Sequence, residues 1–174
     1  MEKLKFAITG IATTCIILII FLGFYPFYWN ELIESRQTVK TVYGDILFIM
    51  KVDKSRIHVG EQIEFNLTIK NEGEKRVTIK ARAPVFDIYL YDSLGNLVAK
   101  YTDGRAFIAL IIEIELKPGD NYTKTIRWNL YKYNETSGEF DPIKPGIYRV
   151  SGVCLTSTEP LMETDKITIK VLKE

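Results

Sequence analysis

The chain is poor in the residues that most often carry chemistry. Its 174 residues include one histidine, His58, and two cysteines, Cys15 and Cys154. One imidazole with no thiol near it in sequence excludes a His-rich metal site, and neither cysteine has metal-ligand spacing. His58 lies in Arg56-Ile57-His58-Val59-Gly60, a turn entering a strand, and reads as a surface loop residue rather than part of a Ser-His-Asp arrangement. There is no Walker loop, no Gly-x-Gly-x-x-Gly run and no zincin motif. No cofactor and no metal are expected, and the chain is expected not to be an enzyme. Carboxylate pairs of the glycosidase kind are assembled by folding and leave no mark in sequence. The acidic residues that can be placed, such as Glu113 and Glu115 beside Ile114, alternate with apolar ones and read as solvated.

Charge of one sign is also lacking. The net charge is +1. Setting aside Glu2, Lys3 and Lys5 from the 22 acidic and 23 basic residues leaves 21 of each in the rest of the chain. A neutral domain has no bulk field for polyanions, so nucleic acid is not an expected partner. Repeats and low-complexity segments are absent, and 47 % hydrophobic residues suffice to bury a core.

What is present begins at the N-terminus. "FAITGIATTCIILIIFLGFYPFYW", residues 6–29, is a run of 24 uncharged residues. As a helix it would reach roughly 36 Å, enough for a hydrocarbon core of about 30 Å. Lys3 and Lys5 precede it, and Phe24, Tyr25, Phe27, Tyr28 and Trp29 cluster at its far end like an interfacial aromatic belt. The run is therefore expected to be an uncleaved signal anchor in the lipid bilayer of the cell membrane. It would leave residues 1–5 in the cytoplasm and the rest outside. The competing reading, a cleaved secretory signal, wants a small-x-small site that Leu22-Gly23-Phe24-Tyr25-Pro26 does not supply. Cys15 and Cys154 would then lie in different compartments, without an intrachain disulfide, each as a packed thiol. Residues 30–43 are polar and mixed and are expected to form a stalk. Three sequons follow, at Asn66, Asn121 and Asn134, as candidate N-glycosylation sites.

From residue 44 to 174 the pattern is that of an all-β domain. In "EQIEFNLTIKN" Ile63, Phe65, Leu67 and Ile69 share one face, while Glu64, Asn66, Thr68 and Lys70 share the other. Similar stretches are expected at 45–52, 76–81, 86–91, 97–102, 107–116, 122–130, 147–156 and 166–172. Turn chemistry separates them, as in Asn71-Glu72-Gly73-Glu74, Ser93-Leu94-Gly95-Asn96, Asp103-Gly104, Lys117-Pro118-Gly119-Asp120 and Lys144-Pro145-Gly146. Strands at this spacing without a helical period between them make a sandwich or a barrel. The apolar stretch 106–116 suits a short helix or a buried strand equally. Tyr131 and Tyr133 sit in a long inter-strand segment, 130–143, and Arg105 follows the Asp103-Gly104 turn. These three are the candidate partner contacts, because loop tyrosines give contact area at little entropy cost. Phe107 is expected to be buried.

Several of these pieces occur in a recognisable order. "LTIKNEGEKRVTIK" is followed by "FDIYLYDSLGNLVAKYTDGRAF", then "LKPGDNYTKTIRWNL", then "IKPGIYRVSGVCL". The order resembles the BsuPI family, named for an intracellular proteinase inhibitor of bacilli. The positions that carry it are Asn71, Phe86, Asp87, Asp92, Gly95, Asp103, Gly104, Phe107, Leu116, Pro118, Gly119, Trp128, Pro145, Gly146 and Tyr148. The resemblance covers residues 60–155. It departs from the family at Ala99 and Tyr101, where a Trp is usual, and at Ala109, where Gln is usual. It implies an immunoglobulin-like β-sandwich, here preceded by one transmembrane helix.

Three functions follow as expectations. The leading one is a membrane-anchored extracytoplasmic interaction domain with a protein partner. The others are a membrane-tethered proteinase inhibitor of BsuPI type and a structural subunit of a surface filament or envelope complex, which would use an open sheet edge.

Overall fold

The computed structural model describes residues 37–157 and 160–173, and the expected anchor and cytoplasmic N-terminus lie outside them. No helix among the described residues is long and apolar enough to cross a membrane. They form an all-β unit of thirteen strands. The strands are β1 (Gln37–Tyr43), β2 (Ile46–Val52), β3 (Arg56–His58), β4 (Ile63–Asn71), β5 (Val77–Tyr91), β6 (Leu97–Lys100) and β7 (Ile111–Leu116). They continue with β8 (Asn121–Trp128), β9 (Tyr131–Asn134), β10 (Glu139–Pro142), β11 (Gly146–Thr156), β12 (Met162–Glu163) and β13 (Ile167–Leu172).

Two sheets share one core. The first has the order β1-β2-β4-β8. The second runs β3-β13-β11-β5-β6, with β7 also on β5 and β12 on β11. β9 and β10 form a separate two-stranded ribbon. All pairings are antiparallel except β13 with β3. The alternation read in β4 is realised: Ile63, Phe65, Leu67 and Ile69 are fully buried. On β5, Phe86, Ile88 and Leu90 face them across the core, and Phe86 stacks on Phe48 of β2 at 5.6 Å between ring centroids. Truncating a buried ring of this kind to Ala costs about 3–5 kcal/mol. Tyr89 and Tyr91 take the opposite side of β5, half-buried.

Four sequence expectations are corrected. Residues 37–43 belong to no stalk. They are β1, paired along its whole length with β2. The strands expected at 76–81 and 86–91 are one long strand, β5. Its inward side shifts from Ile79 and Ala81 to Phe86 and Ile88, because β11 pairs Cys154 with Phe86 but Thr156 with Ala81. An irregularity of this kind flips the facing parity without ending the strand. The 106–116 stretch is strand only from Ile111, with no regular structure over 105–110. Phe107 is not buried but 41 % exposed.

β1 leaves little mark in the sequence because its inward side is partly polar. Val39 and Tyr43 pack on the core. Thr41 is satisfied instead by the backbone of the chain's end, where Asp165 N–H donates to Thr41 Oγ1 at 2.9 Å. Tyr43 Oη donates to the Glu163 carbonyl at 2.5 Å and accepts from the Glu163 N–H at 2.7 Å.

Candidate functional site

The turn after β6 is built around a buried acid. Asp87, on the outward side of β5, is 1 % exposed. Its Oδ1 accepts from the N–H of Ile88 at 2.8 Å and of Thr102 at 3.1 Å. Its Oδ2 accepts from Thr102 Oγ1 at 2.6 Å. Burial pushes the Asp87 carboxyl above its ordinary value, and the Thr102 hydroxyl and two N–H groups work against that rise. A carboxylate sunk beside a sheet is expensive unless its lone pairs are filled, so Asp87 holds Thr102 in place wherever the chain is folded. The turn then closes on itself. Lys100 N–H donates to Asp103 Oδ2 at 2.8 Å, and Arg105 N–H donates to the Thr102 carbonyl at 3.1 Å.

Arg105 leaves this turn with its side chain already placed. Its Nε donates to the Tyr101 carbonyl at 2.7 Å. The guanidinium lies 4.4 Å from the centroid of the Tyr101 ring and 5.5 Å from that of Phe140. Tyr101 in turn meets Trp128 edge-on at 6.1 Å. Such cation–ring contacts are worth about 0.5–1 kcal/mol when exposed, enough to hold an orientation.

The 130–143 segment, expected as a loop, supplies the other half of the site as the β9–β10 ribbon. A lone hairpin is marginal in water. This one is fastened at its base by Leu130 and Ile143, both buried, with Ile143 N–H donating to the Leu130 carbonyl at 3.3 Å. Leu130 has φ +56, and its burial holds that left-handed backbone. Tyr131 and Tyr133 are not freely displayed. Tyr131 Oη sits over Gly60, and the Tyr133 ring lies against Gly104 of the Arg105 turn. Phe140 packs on Tyr133 at 5.3 Å and reaches Arg105. The structure therefore brings Arg105 and Tyr133 together through Phe140, while Tyr131 braces the ribbon elsewhere. Phe140 was missed because a lone aromatic in "NETSGEFDPIK" has no periodicity; the only signal was the possibility of a hairpin about Ser137-Gly138.

Beside the ribbon is a concavity of about 490 Å³ lined by Asp103, Lys132, Tyr133, Asn134, Glu135 and Asp141. Among the described residues no group of three or more His, Cys, Asp or Glu is arranged to hold a metal ion. His58 is exposed at the β3 end, with Nδ1 3.0 Å from the Lys173 carbonyl. Glu113 and Glu115 are exposed and ion-paired with Lys80 and Arg76. Of the sequons, Asn121 is exposed at the start of β8. Asn66 donates from Nδ2 to Thr125 Oγ1 at 3.2 Å, and Asn134 caps its own turn by accepting from Thr136 N–H at 3.0 Å.

The turn and the ribbon form one braced surface on an all-β scaffold. BsuPI, described as intracellular proteinase inhibitor, matches residues 50–159. The chain belongs to this family, which is one of inhibitors and not of catalysts. No curated protein matches the chain. Among solved structures, the chain is similar to part of a β-glucosidase from Listeria innocua, at 17 % identity and a TM-score of 0.41, covering 79 % of this chain and 16 % of that one. It is also similar to the C-terminal domain of wzt, at 12 % identity and a TM-score of 0.44, covering 79 % and 80 %. A third is a CARDB domain from Pyrococcus furiosus in complex with di-metal ions, at 16 % identity and a TM-score of 0.37, covering 81 % and 97 %.

Proposed function

We propose that the protein is a proteinase-inhibitor-type binding domain with an immunoglobulin-like sandwich, tethered to a membrane through residues 6–29. One observation carries the binding reading. The Arg105 turn is fixed from below by buried Asp87 and from the side by the Tyr133–Phe140 ribbon. An inhibitor must present a segment in one conformation, because ordering a loose loop on binding costs affinity. A turn braced on two sides meets that requirement. The family match supports a proteinase as the partner. The tether is supported by the uncharged run and its Lys3, Lys5 and aromatic flanks, and the positive-inside tendency favours a β domain on the outside.

The detergent-solubilised full chain should inhibit at least one member of a panel of subtilisin-like serine proteinases with one-to-one stoichiometry. No stoichiometric inhibition across the panel would remove the inhibitor reading. The tether is tested separately. The chain should resist alkaline carbonate extraction from membranes, and external protease should reach the domain on intact cells.

A further inference from the structure

Between the Arg105 turn and β7 the chain runs Ala106-Phe107-Ile108-Ala109-Leu110-Ile111, six apolar residues in succession, and all of them are exposed. Ile108 is 75 % and Leu110 52 % exposed. A continuous apolar surface of this kind, left in water by an otherwise well-buried core, marks an interaction site. Its ends are fixed. Arg105 is clamped to Tyr101 at one end. At the other, Ala83 N–H donates to the Leu110 carbonyl at 3.0 Å and Ile111 enters the β5–β7 ladder. Its middle is not paired. Among the described residues, Leu110 N–H to the Ile108 carbonyl at 2.9 Å is the one backbone bond inside the segment, and Ala106, Phe107 and Ala109 have none.

That combination decides between occupants. A lipid surface would take the side chains, but it would strand unpaired N–H and C=O groups in hydrocarbon, where irregular exposed backbone is not tolerated. A protein cleft that binds an extended chain supplies both apolar pockets and backbone partners. Resting on the inhibitor reading above, we infer that Phe107–Leu110 is the segment that enters the proteinase, in a cleft with apolar subsites that pairs its backbone. Ile108, the most exposed of its large side chains, anchors it. Phe140, reaching the same Arg105, borders the contact.

The test compares the detergent-solubilised full chain with Ile108→Asp and with Leu94→Asp, the latter at an 86 % exposed position in the β5–β6 turn. Both variants should melt at the parental temperature, because neither side chain packs on the core. Against a proteinase that the parental chain inhibits, Ile108→Asp should weaken inhibition about tenfold or more, the scale of an interface anchor, while Leu94→Asp leaves it unchanged. Prolonged incubation with excess proteinase should hydrolyse a peptide bond within 106–110 first, one water adding to give a new carboxylate and amine, read by mass spectrometry. Equal inhibition by the parental chain and Ile108→Asp, or a first cut elsewhere, would overturn the inference and leave the inhibitor reading standing. Unchanged inhibition with loss of self-association in light scattering would assign the segment to a second copy of the chain and also overturn it. Absence of inhibition by the parental chain would end both.

Discussion

Thr102 Oγ1 donates to the buried Asp87 Oδ2 at 2.6 Å, across 15 residues of chain. The bond ties the turn that carries Arg105 to the long strand β5. It also explains why two chain reversals lie so close together in this sequence. The first reversal is a hairpin. Asp92 accepts from the N–H groups of Leu94 and Asn96 at 2.9 and 2.8 Å. The Asn96 side chain above all, with these N–H groups, holds the Asp92 carboxyl below its ordinary value. The second reversal turns the chain away from the sheet, and Asp87 sets where.

Replacing Asp87 tests that tie. Asp87→Ala leaves the N–H of Ile88 and of Thr102 without their acceptor, and buried unpaired donors cost about 1–3 kcal/mol each. A loss of about 2–4 kcal/mol in urea unfolding is expected. Asp87→Asn keeps the shape and an acceptor oxygen but no titrating group. Because burial raises the folded carboxyl above the unfolded value near 3.8, ionisation disfavours the folded state. This unfavourable contribution is absent below the unfolded value. It grows as pH rises through the folded one and is constant above. The parental chain should therefore gain stability relative to Asp87→Asn as pH falls through that window. A difference between the two that does not change with pH would contradict the raised carboxyl.

The seat of the ribbon is tested at Gly104. Its φ is +68, and a Cβ there would lie 2.3 Å from the Tyr133 ring. Left-handed backbone costs a non-glycine residue about 1–2 kcal/mol, and overpacking adds about 1–3. Gly119 has φ +83 with open space around it, so Gly119→Ala bears only the backbone cost. Gly104→Ala should thus lose about twice as much stability as Gly119→Ala in thermal melts. It should also increase the solvent exposure of the Tyr133 ring, which Gly119→Ala should not.

Cys154 is fully buried, and burial pushes its thiol up to about 12. At pH 8 it is protonated as well as inaccessible, and a thiolate is the reactive form. Ellman's reagent should modify Cys154 in denaturant and not in the folded chain, with peptide mapping to separate it from Cys15. Rapid labelling of native Cys154 would contradict the burial.

The place of β1 is tested at Tyr43. Tyr43→Phe removes the hydroxyl that serves both the N–H and the carbonyl of Glu163. A loss of about 1–2 kcal/mol is expected, with faster hydrogen exchange at the Glu163 amide. A chain beginning at Gly44 should lose more, because Val39 and Tyr43 leave the core together. Equal stability of the chains beginning at Gln37 and Gly44 would return residues 37–43 to the role of a stalk.

The sequence by itself determined the all-β class, the inward side of β4, most of the turns, and the family. These follow from alternation and from glycine, proline and aspartate at fixed positions, which are local signals. Most residues that carry the family resemblance specify the fold. Asn71 is fully buried, its side chain donating to the carbonyls of Lys75 and Leu116 at 2.7 and 2.9 Å, and Asp87 holds the second turn. Only the tertiary structure decided the rest. β1 is a strand because its polar inward groups find partners more than a hundred residues away. The 130–143 segment is a ribbon because Leu130 and Ile143 meet at its base and glycines at 60 and 104 leave room for its tyrosines. Phe107 and its neighbours lie in water because β6 and β7 take the same edge of β5 at different heights, and the connection between them passes outside the sheet. Hydrophobicity predicts burial only where the topology provides an interior. Here the topology leaves the longest apolar run of the folded unit outside it.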